Sequence, residues 1–264
     1  MITPRKSLGQ HFLRDENIAR KIVHELHLTA NDVVVEIGPG TGALTKHLAK
    51  AARKVIGIEL DRRAAEVLQN MFPNAVDIIE SDVLQVDLIA LAKTYRQPLR
   101  IVGNIPYNIT SGILFWLFEN RSAVRDATLM MQLEVAQRLI AKPKTKAYGI
   151  LSVATQFHTR PELLFKVSRN SFYPKPEVDS AIVRLDFRKE LPPCNIPLFT
   201  AVVRATFGKR RKTLRNGLRY MGLTDEQLHA VPFDLRRRPE DLSLEEFIEL
   251  TSQLERLRPS IVAS

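Results

Sequence analysis

Short apolar runs alternate with amphipathic stretches through the first two thirds of the chain. Residues 33–37, 55–60, 76–79 and 99–102 are nearly continuous apolar runs of strand length, the pattern of strands covered on both faces. Between them, residues 43–52, 64–71 and 109–118 read as helices. This order predicts a βαβ series and hence a mostly parallel sheet between two helical layers. Further runs at 128–133, 150–157 and 181–187 complete the sheet, the last two as an antiparallel pair at its edge. Pro192-Pro193 breaks the pattern. Beyond it, helices are predicted over 198–207, 212–221, 225–230 and 244–257, the last opened by Ser243 as a cap with Glu245 and Glu246 in its first turn. The expected organisation is an α/β domain over residues 1–190 and a small helical domain over 191–264.

Composition narrows the classes. A chain of 264 residues with 45% hydrophobic content suits a large core plus a smaller unit, and no apolar run approaches the roughly 20 residues of a membrane helix. The basic start, Thr3-Pro4-Arg5-Lys6, leads into no apolar segment of a secretory signal. Cys194 is the single cysteine, which fits a reducing cytoplasm, and the six histidines have no metal-ligand spacing, so no metal is expected. The net charge of +10 favours a polyanionic partner. Nothing in the sequence demands more than a monomer.

The chemistry concentrates at predicted strand ends. Val33-Val34-Val35-Glu36-Ile37 runs into Gly38-Pro39-Gly40-Thr41-Gly42 and then a helix, a turn that lets backbone approach a ligand closely. Glu59, 21 residues after Gly38, ends the second run and can accept from two ribose hydroxyls. Asp82 ends the third and can accept from an adenine amino group, with Leu60 and Val83 flanking the purine. Gly38, Gly40 and Ala43 also satisfy the dinucleotide pattern, so a nicotinamide-dependent dehydrogenase stays open on that strip alone. The fourth run opens into Asn104-Ile105-Pro106-Tyr107. An amide, a backbone carbonyl and an aromatic face at one sheet edge suit a planar amine: two acceptors for its hydrogens and a ring to stack on. The acceptors would be the Asn104 side chain and the carbonyl of Ile105 or Pro106. No hydride-transfer set follows.

Several segments together resemble the 16S ribosomal RNA adenine N6-dimethyltransferases. They are Lys6-Ser7-Leu8-Gly9-Gln10-His11-Phe12-Leu13, Glu36-Ile37-Gly38-Pro39-Gly40-Thr41-Gly42, Ile58-Glu59-Leu60-Asp61 and Gly103-Asn104-Ile105-Pro106-Tyr107-Asn108-Ile109. Gln132-Leu133-Glu134-Val135-Ala136-Gln137-Arg138, Tyr148-Gly149-Ile150-Leu151-Ser152-Val153, Phe172-Tyr173-Pro174-Lys175-Pro176-Glu177-Val178-Asp179-Ser180-Ala181 and Phe207-Gly208-Lys209-Arg210-Arg211-Lys212-Thr213-Leu214 follow in family order. The resemblance implies a Rossmann-like S-adenosylmethionine-dependent methyltransferase fold. It implies dimethylation of two adjacent adenines in a hairpin loop near the 3′ end of 16S ribosomal RNA, and a role in small-subunit biogenesis. It adds His11 and Leu13 to a cofactor site with Gly38, Gly40, Glu59, Leu60, Asp82, Val83 and Asn104. His11 stands where the family often has Asn, and Leu133 where it often has Lys.

On this reading Asn104, Pro106 and Tyr107 grip and stack the target base, and Phe172 closes its other face. The basic stretch Lys209, Arg210, Arg211, Lys212, Arg215 contains no acidic residue and is expected to neutralise RNA phosphates, with Arg236-Arg237-Arg238 and Lys142, Lys144, Lys146 extending it. Three other functions compete. They are a large-subunit RNA methyltransferase of the antibiotic-resistance type, a ribosome assembly factor with secondary methylation, and a DNA adenine methyltransferase. The last lacks an evident target-recognition domain.

Overall fold

The computed structural model describes residues 3–5, 9–208 and 212–257. The chain forms two compact units, one of Met1–Ala136 with Thr159–Lys189, the other of Gln137–His158 with Glu190–Ser264. In the first, β1 (Phe12–Leu13) leads into α1 (Glu16–Glu25). Strands and helices then alternate: β2 (Val33–Ile37), α2 (Thr45–Ala51), β3 (Lys54–Glu59), α3 (Arg62–Met71), β4 (Val76–Glu80), α4 (Leu88–Tyr95), β5 (Leu99–Asn104), α5 (Thr110–Glu119) and β6 (Val124–Gln132). After α6 (Leu133–Leu139) and α7 (Ile150–His158), β7 (Arg160–Val167), β8 (Phe172–Tyr173) and β9 (Ser180–Asp186) complete the unit. The main sheet has the order β4-β3-β2-β5-β6-β9-β7. Pairing from β4 through β6 is parallel, and β9 runs antiparallel to both of its neighbours. All five residues of β2 are buried, as a run covered on both faces requires. The strand order reverses between β2 and β5, where open α/β sheets bind ligands beyond their carboxyl ends.

The structure corrects one predicted strand. Residues 150–157 lie in the helix α7, and the antiparallel partner of β9 at the sheet edge is β7. An apolar run of eight suits a buried helix as well as a strand, whereas β7 is a partly exposed edge strand whose Pro161, Glu162 and Lys166 hid it. With α7, residues 137–158 group with the C-terminal residues, so the expected 1–190 domain is interrupted.

The second unit adds α8 (Ile196–Phe207), α9 (Leu214–Arg219), α10 (Asp225–Ala230) and α11 (Leu244–Leu257). Its core is aromatic: Phe157 stacks on Phe199 with centroids 4.2 Å apart, Phe247 is fully buried, and the Tyr148 hydroxyl donates to the Leu242 carbonyl at 2.9 Å. Among the described residues no helix is long and apolar enough to cross a membrane, and no cluster of His, Cys, Asp and Glu could hold a metal ion.

At the amino ends of the central strands sits a buried ionic cluster. Arg100 of β5 meets Asp126 of β6 (Nε–Oδ1 3.0 Å) and Asp32, just before β2 (Nη1–Oδ2 3.2 Å). Its Nη2 also donates to the Leu26 carbonyl at the end of α1 (2.6 Å). The three charged side chains are all under 9% exposed. Arg125 reaches Asp32 from the solvent side at 3.1 Å. The guanidinium thus joins α1, β2, β5 and β6 through one planar group with fixed donors.

Candidate active site

An open cavity with about 760 Å³ of empty space, part of it solvent at the mouth, lies at the carboxyl ends of β2, β3, β4 and β5. That size suits a small-molecule ligand. Each of those strands sends its C-terminal residues to the wall: Gly38 and Gly40 after β2, Glu59 and Leu60 at β3, Asp82 and Val83 after β4, Asn104 to Tyr107 after β5. Gly40 has φ +56°, and a Cβ there would stand 3.0 Å from the Phe12 ring, so the turn needs glycine on two counts. Gly103 brings β5 so close to β2 that a Cβ would lie 2.6 Å from the Ile37 carbonyl oxygen.

Glu59 is buried and holds the loops around it. One carboxylate oxygen accepts the Gly40 N–H and the other the Asp61 N–H, both at 2.9 Å. Burial raises its pKa against those two hydrogen bonds. Asp82 accepts the Leu84 N–H at 3.0 Å, which fixes its carboxylate on the cavity wall. Leu60 is 55% exposed there and Val83 is buried beside it.

Glu36 sits behind the glycine turn, fully buried, and accepts the Thr45 hydroxyl at 2.7 Å. Burial pushes its pKa up to about 8, against the Thr45 hydrogen bond and reinforced by the nearby Glu59. A carboxyl raised from 4.5 keeps its proton in the folded state while the unfolded chain releases it. Stability from this group is therefore full below about pH 4.5 and is lost as pH rises toward 8. Glu36→Gln is expected to stabilise the protein by on the order of a few kcal/mol at pH 8 and hardly at all at pH 5. Thermal melts across that range read the difference; equal gains at both ends would contradict the assignment.

The Asn104 turn has the geometry of an amine grip. The Asn104 Nδ2 donates to the His11 carbonyl at 2.7 Å, which orients the amide and leaves Oδ1, with no donor among the described residues, as an acceptor. The backbone resolves the choice of second acceptor. The Pro106 carbonyl takes the Ile109 N–H and the Thr110 hydroxyl, both at 3.3 Å, whereas that of Ile105 takes no hydrogen bond among the described residues. Ile105 thus replaces Pro106 as the open acceptor, because the turn into α5 engages the proline oxygen; the Pro106 side chain remains on the wall. The Tyr107 hydroxyl bonds the Ser180 hydroxyl at 2.7 Å, and its ring lies against His11 with centroids 5.6 Å apart and planes at 23°. The His11 Nδ1 donates to the Pro174 carbonyl at 2.8 Å. Burial raises the Tyr107 pKa, so the phenol stays neutral.

Two expected residues face elsewhere. Phe172 is 4% exposed and packs in the core with Leu13, Ile22 and Met130, and it does not line the cavity. Leu13 is buried in the same cluster, and its neighbour Phe12 takes the cavity wall instead. Both follow from the β1–β8 pairing, which opposes Leu13 to Phe172 and Phe12 to Tyr173. Phe12 and Ser180 are the site residues that reading the sequence missed, although both lie inside the quoted segments. Of the basic residues, Lys209, Arg210 and Arg211 lie outside the described residues. Lys212 is exposed; Arg215 and Arg219 both pair with Asp225, at 3.2 and 2.6 Å. Arg237 pairs with Glu246 at 2.6 Å and Arg236 with Asp234 at 2.9 Å, so acidic neighbours partly neutralise the expected extension.

A strand antiparallel to its neighbours inside an otherwise parallel sheet, with a glycine turn at the switch point, is the Rossmann-like fold of the S-adenosylmethionine-dependent methyltransferases. The cavity fits that cofactor: carboxylates at the ends of β3 and β4 for hydroxyl and amino hydrogens, apolar Leu60 and Val83 for the purine, and bare backbone at Gly38 and Gly40. The chain belongs to the ribosomal RNA adenine dimethylase family, whose model matches residues 1–254. It is 46% identical over 254 residues to the ribosomal RNA small subunit methyltransferase A of Chlorobium phaeobacteroides strain BS1, covering 96% of this chain and 94% of that one. The protein of the same description from Bacillus mycoides is 42% identical over 266 residues, covering 95% and 91%. Among solved structures it is similar to a dimethyladenosine transferase from Plasmodium falciparum (TM-score 0.78, 25% identity, 93% and 98% covered). It is also similar to the 23S rRNA methyltransferase ErmE (TM-score 0.68, 29% identity, 92% and 99% covered).

Proposed function

We propose that the protein dimethylates N6 of two adjacent adenines in a hairpin loop near the 3′ end of 16S ribosomal RNA. It acts as a monomer in the cytoplasm, on the small ribosomal subunit during its assembly. The carrying observation is the Asn104 turn: an oriented amide oxygen and an open Ile105 carbonyl beside a neutral aromatic ring, on the wall of the cofactor cavity. Relatives at 41–46% identity, described as small-subunit methyltransferases, support the choice of subunit over the large-subunit alternative.

When bound, S-adenosylmethionine supplies a methyl group on a positively charged sulfur. The exocyclic nitrogen of adenine is a poor nucleophile because its lone pair is delocalised into the ring. Asn104 Oδ1 and the Ile105 carbonyl accept its two hydrogens, draw it toward tetrahedral geometry and aim the lone pair. Such positioning is worth several kcal/mol. Tyr107 supplies the stacking surface, and Ser180 holds that ring in place. No strong base is needed, since the methylated nitrogen is acidic enough to lose its proton to water. The base must leave its stack to reach the turn, which favours a single-stranded loop. Methylation of undermodified small subunits with labelled cofactor, followed by mass mapping of the RNA, tests the reading; label confined to any other base or to the large subunit would end it. Glu59→Ala is expected to weaken cofactor binding about tenfold or more, as loss of charge-assisted hydrogen bonds implies, while RNA affinity holds. Parallel titrations with cofactor and RNA check this, and equal losses would count against the ribose role.

A further inference from the structure

The β1–β8 ribbon exposes an aromatic side chain that the cofactor cavity does not use. Phe12 and Tyr173 are directly opposed in this antiparallel pair, so their side chains share one face. Phe12 lines the cavity, which puts Tyr173 on the cavity side of the ribbon; Leu13 and Phe172 point the other way, into the core. Tyr173 keeps 49% of its surface in water. The Arg14 guanidinium lies over its ring, 3.9 Å from the centroid. Arg14 is exposed and makes no ion pair among the described residues. The neighbouring Asp15 is directed to α1, where its carboxylate accepts the Asn17 and Ile18 N–H groups.

We infer that Tyr173 and Arg14 form a binding platform for the nucleotide next to the target adenine. The inference rests on the proposed RNA substrate and extends it to a second subsite. Continuity with the site carries it: Pro174, next to Tyr173, holds His11 through its carbonyl, and the His11 ring lies on Tyr107. One ribbon therefore carries an aromatic surface beside the cavity and anchors the contact to the aromatic surface within it. A base drawn onto Tyr107 leaves its neighbour unstacked on one side, and a half-exposed tyrosine replaces that lost partner. A stacked guanidinium keeps its in-plane N–H donors free for a phosphate. Base stacking on an aromatic ring tolerates any sequence, so this subsite adds affinity for single-stranded RNA without reading a base. It takes over the stacking expected of Phe172, applied to the adjoining nucleotide.

The test is steady-state methylation of undermodified small subunits by Tyr173→Ala, Tyr173→Phe and Arg14→Ala, with cofactor affinity measured separately by titration. Tyr173→Ala is expected to raise KM for the subunit about tenfold or more, the loss of one stacked base. Its cofactor affinity and melting temperature stay at wild-type values, and Tyr173→Phe behaves as wild type. Arg14→Ala raises KM less and flattens its salt dependence. A Tyr173→Ala KM within twofold of wild type overturns the platform, as does loss of cofactor affinity in parallel, which would make the ribbon a brace for the cavity. These outcomes are separate from the parent reading, which is decided by the base and subunit on which the wild-type protein places its label.

Discussion

Asn104→Ala will leave the protein folded and reduce methyl transfer by about 10²- to 10³-fold, the usual cost of removing one preorganised hydrogen-bonding group at a reacting centre. The side chain has two tasks, and alanine ends both. In the proposed mechanism its oxygen accepts from the target amine, and its nitrogen holds the His11 carbonyl at 2.7 Å. Asn104→Asp separates them. A carboxylate keeps an acceptor but sets a negative charge against the His11 carbonyl oxygen, so this variant should also loosen the N-terminal segment and weaken the cofactor. Single-turnover rates on undermodified subunits, with thermal melts as the control for folding, decide the matter. Turnover of Asn104→Ala within tenfold of wild type would remove the amine grip as the mechanism. Tyr107→Ala should fail in the same assay.

The largest effect on stability is expected from Arg100→Ala, about 3–5 kcal/mol, because truncation leaves Asp32 and Asp126 buried without their cation. In a unit of this size that lowers the melting temperature by on the order of 10 °C. Replacing the whole cluster by apolar residues of similar volume should recover much of the loss, since the penalty is the orphaned charge. The cluster also has an acid limb. Burial would raise the Asp32 carboxyl, but the Thr29 N–H and the Arg100 guanidinium outweigh it and hold it below its ordinary 3.8. A depressed carboxylate contributes stability above its unfolded pKa and loses it as pH falls further. Wild type should therefore lose stability below about pH 4 more steeply than Arg100→Ala. Chemical unfolding at pH 7 and pH 3 measures both effects; a difference of under 1 kcal/mol at pH 7 would show that the cluster carries little.

The residues legible in the sequence are those whose position depends on local pattern alone. Gly38, Glu59, Asp82 and Asn104 each end an apolar run, and the parallel sheet delivers all four to one edge. Phe172 was not legible for a physical reason. Phe172 and Tyr173 alternate faces, and a two-residue strand has no third position to fix which one is buried; the pairing with Phe12 and Leu13, far away in sequence, decides it. Periodicity could not separate α7 from a strand, since both bury a continuous apolar run of that length. The choice between Ile105 and Pro106 turned on where α5 begins, because a carbonyl inside its first turn already has donors. The identity of the chemistry was written locally, and the surfaces that flank it were written in long-range pairing.

The bonds that finish the site join early residues to late ones: His11 to Pro174, and Tyr107 to Ser180. A nascent chain emerging amino end first would have His11 and Tyr107 outside the exit tunnel while the residues that hold them were still unmade. A polypeptide still being translated would thus lack a fixed Tyr107 ring, and the translating ribosome would be safe from the enzyme it is producing. Competence would arrive with the segment through Ser180, so a chain arrested before it should bind little cofactor and modify no RNA.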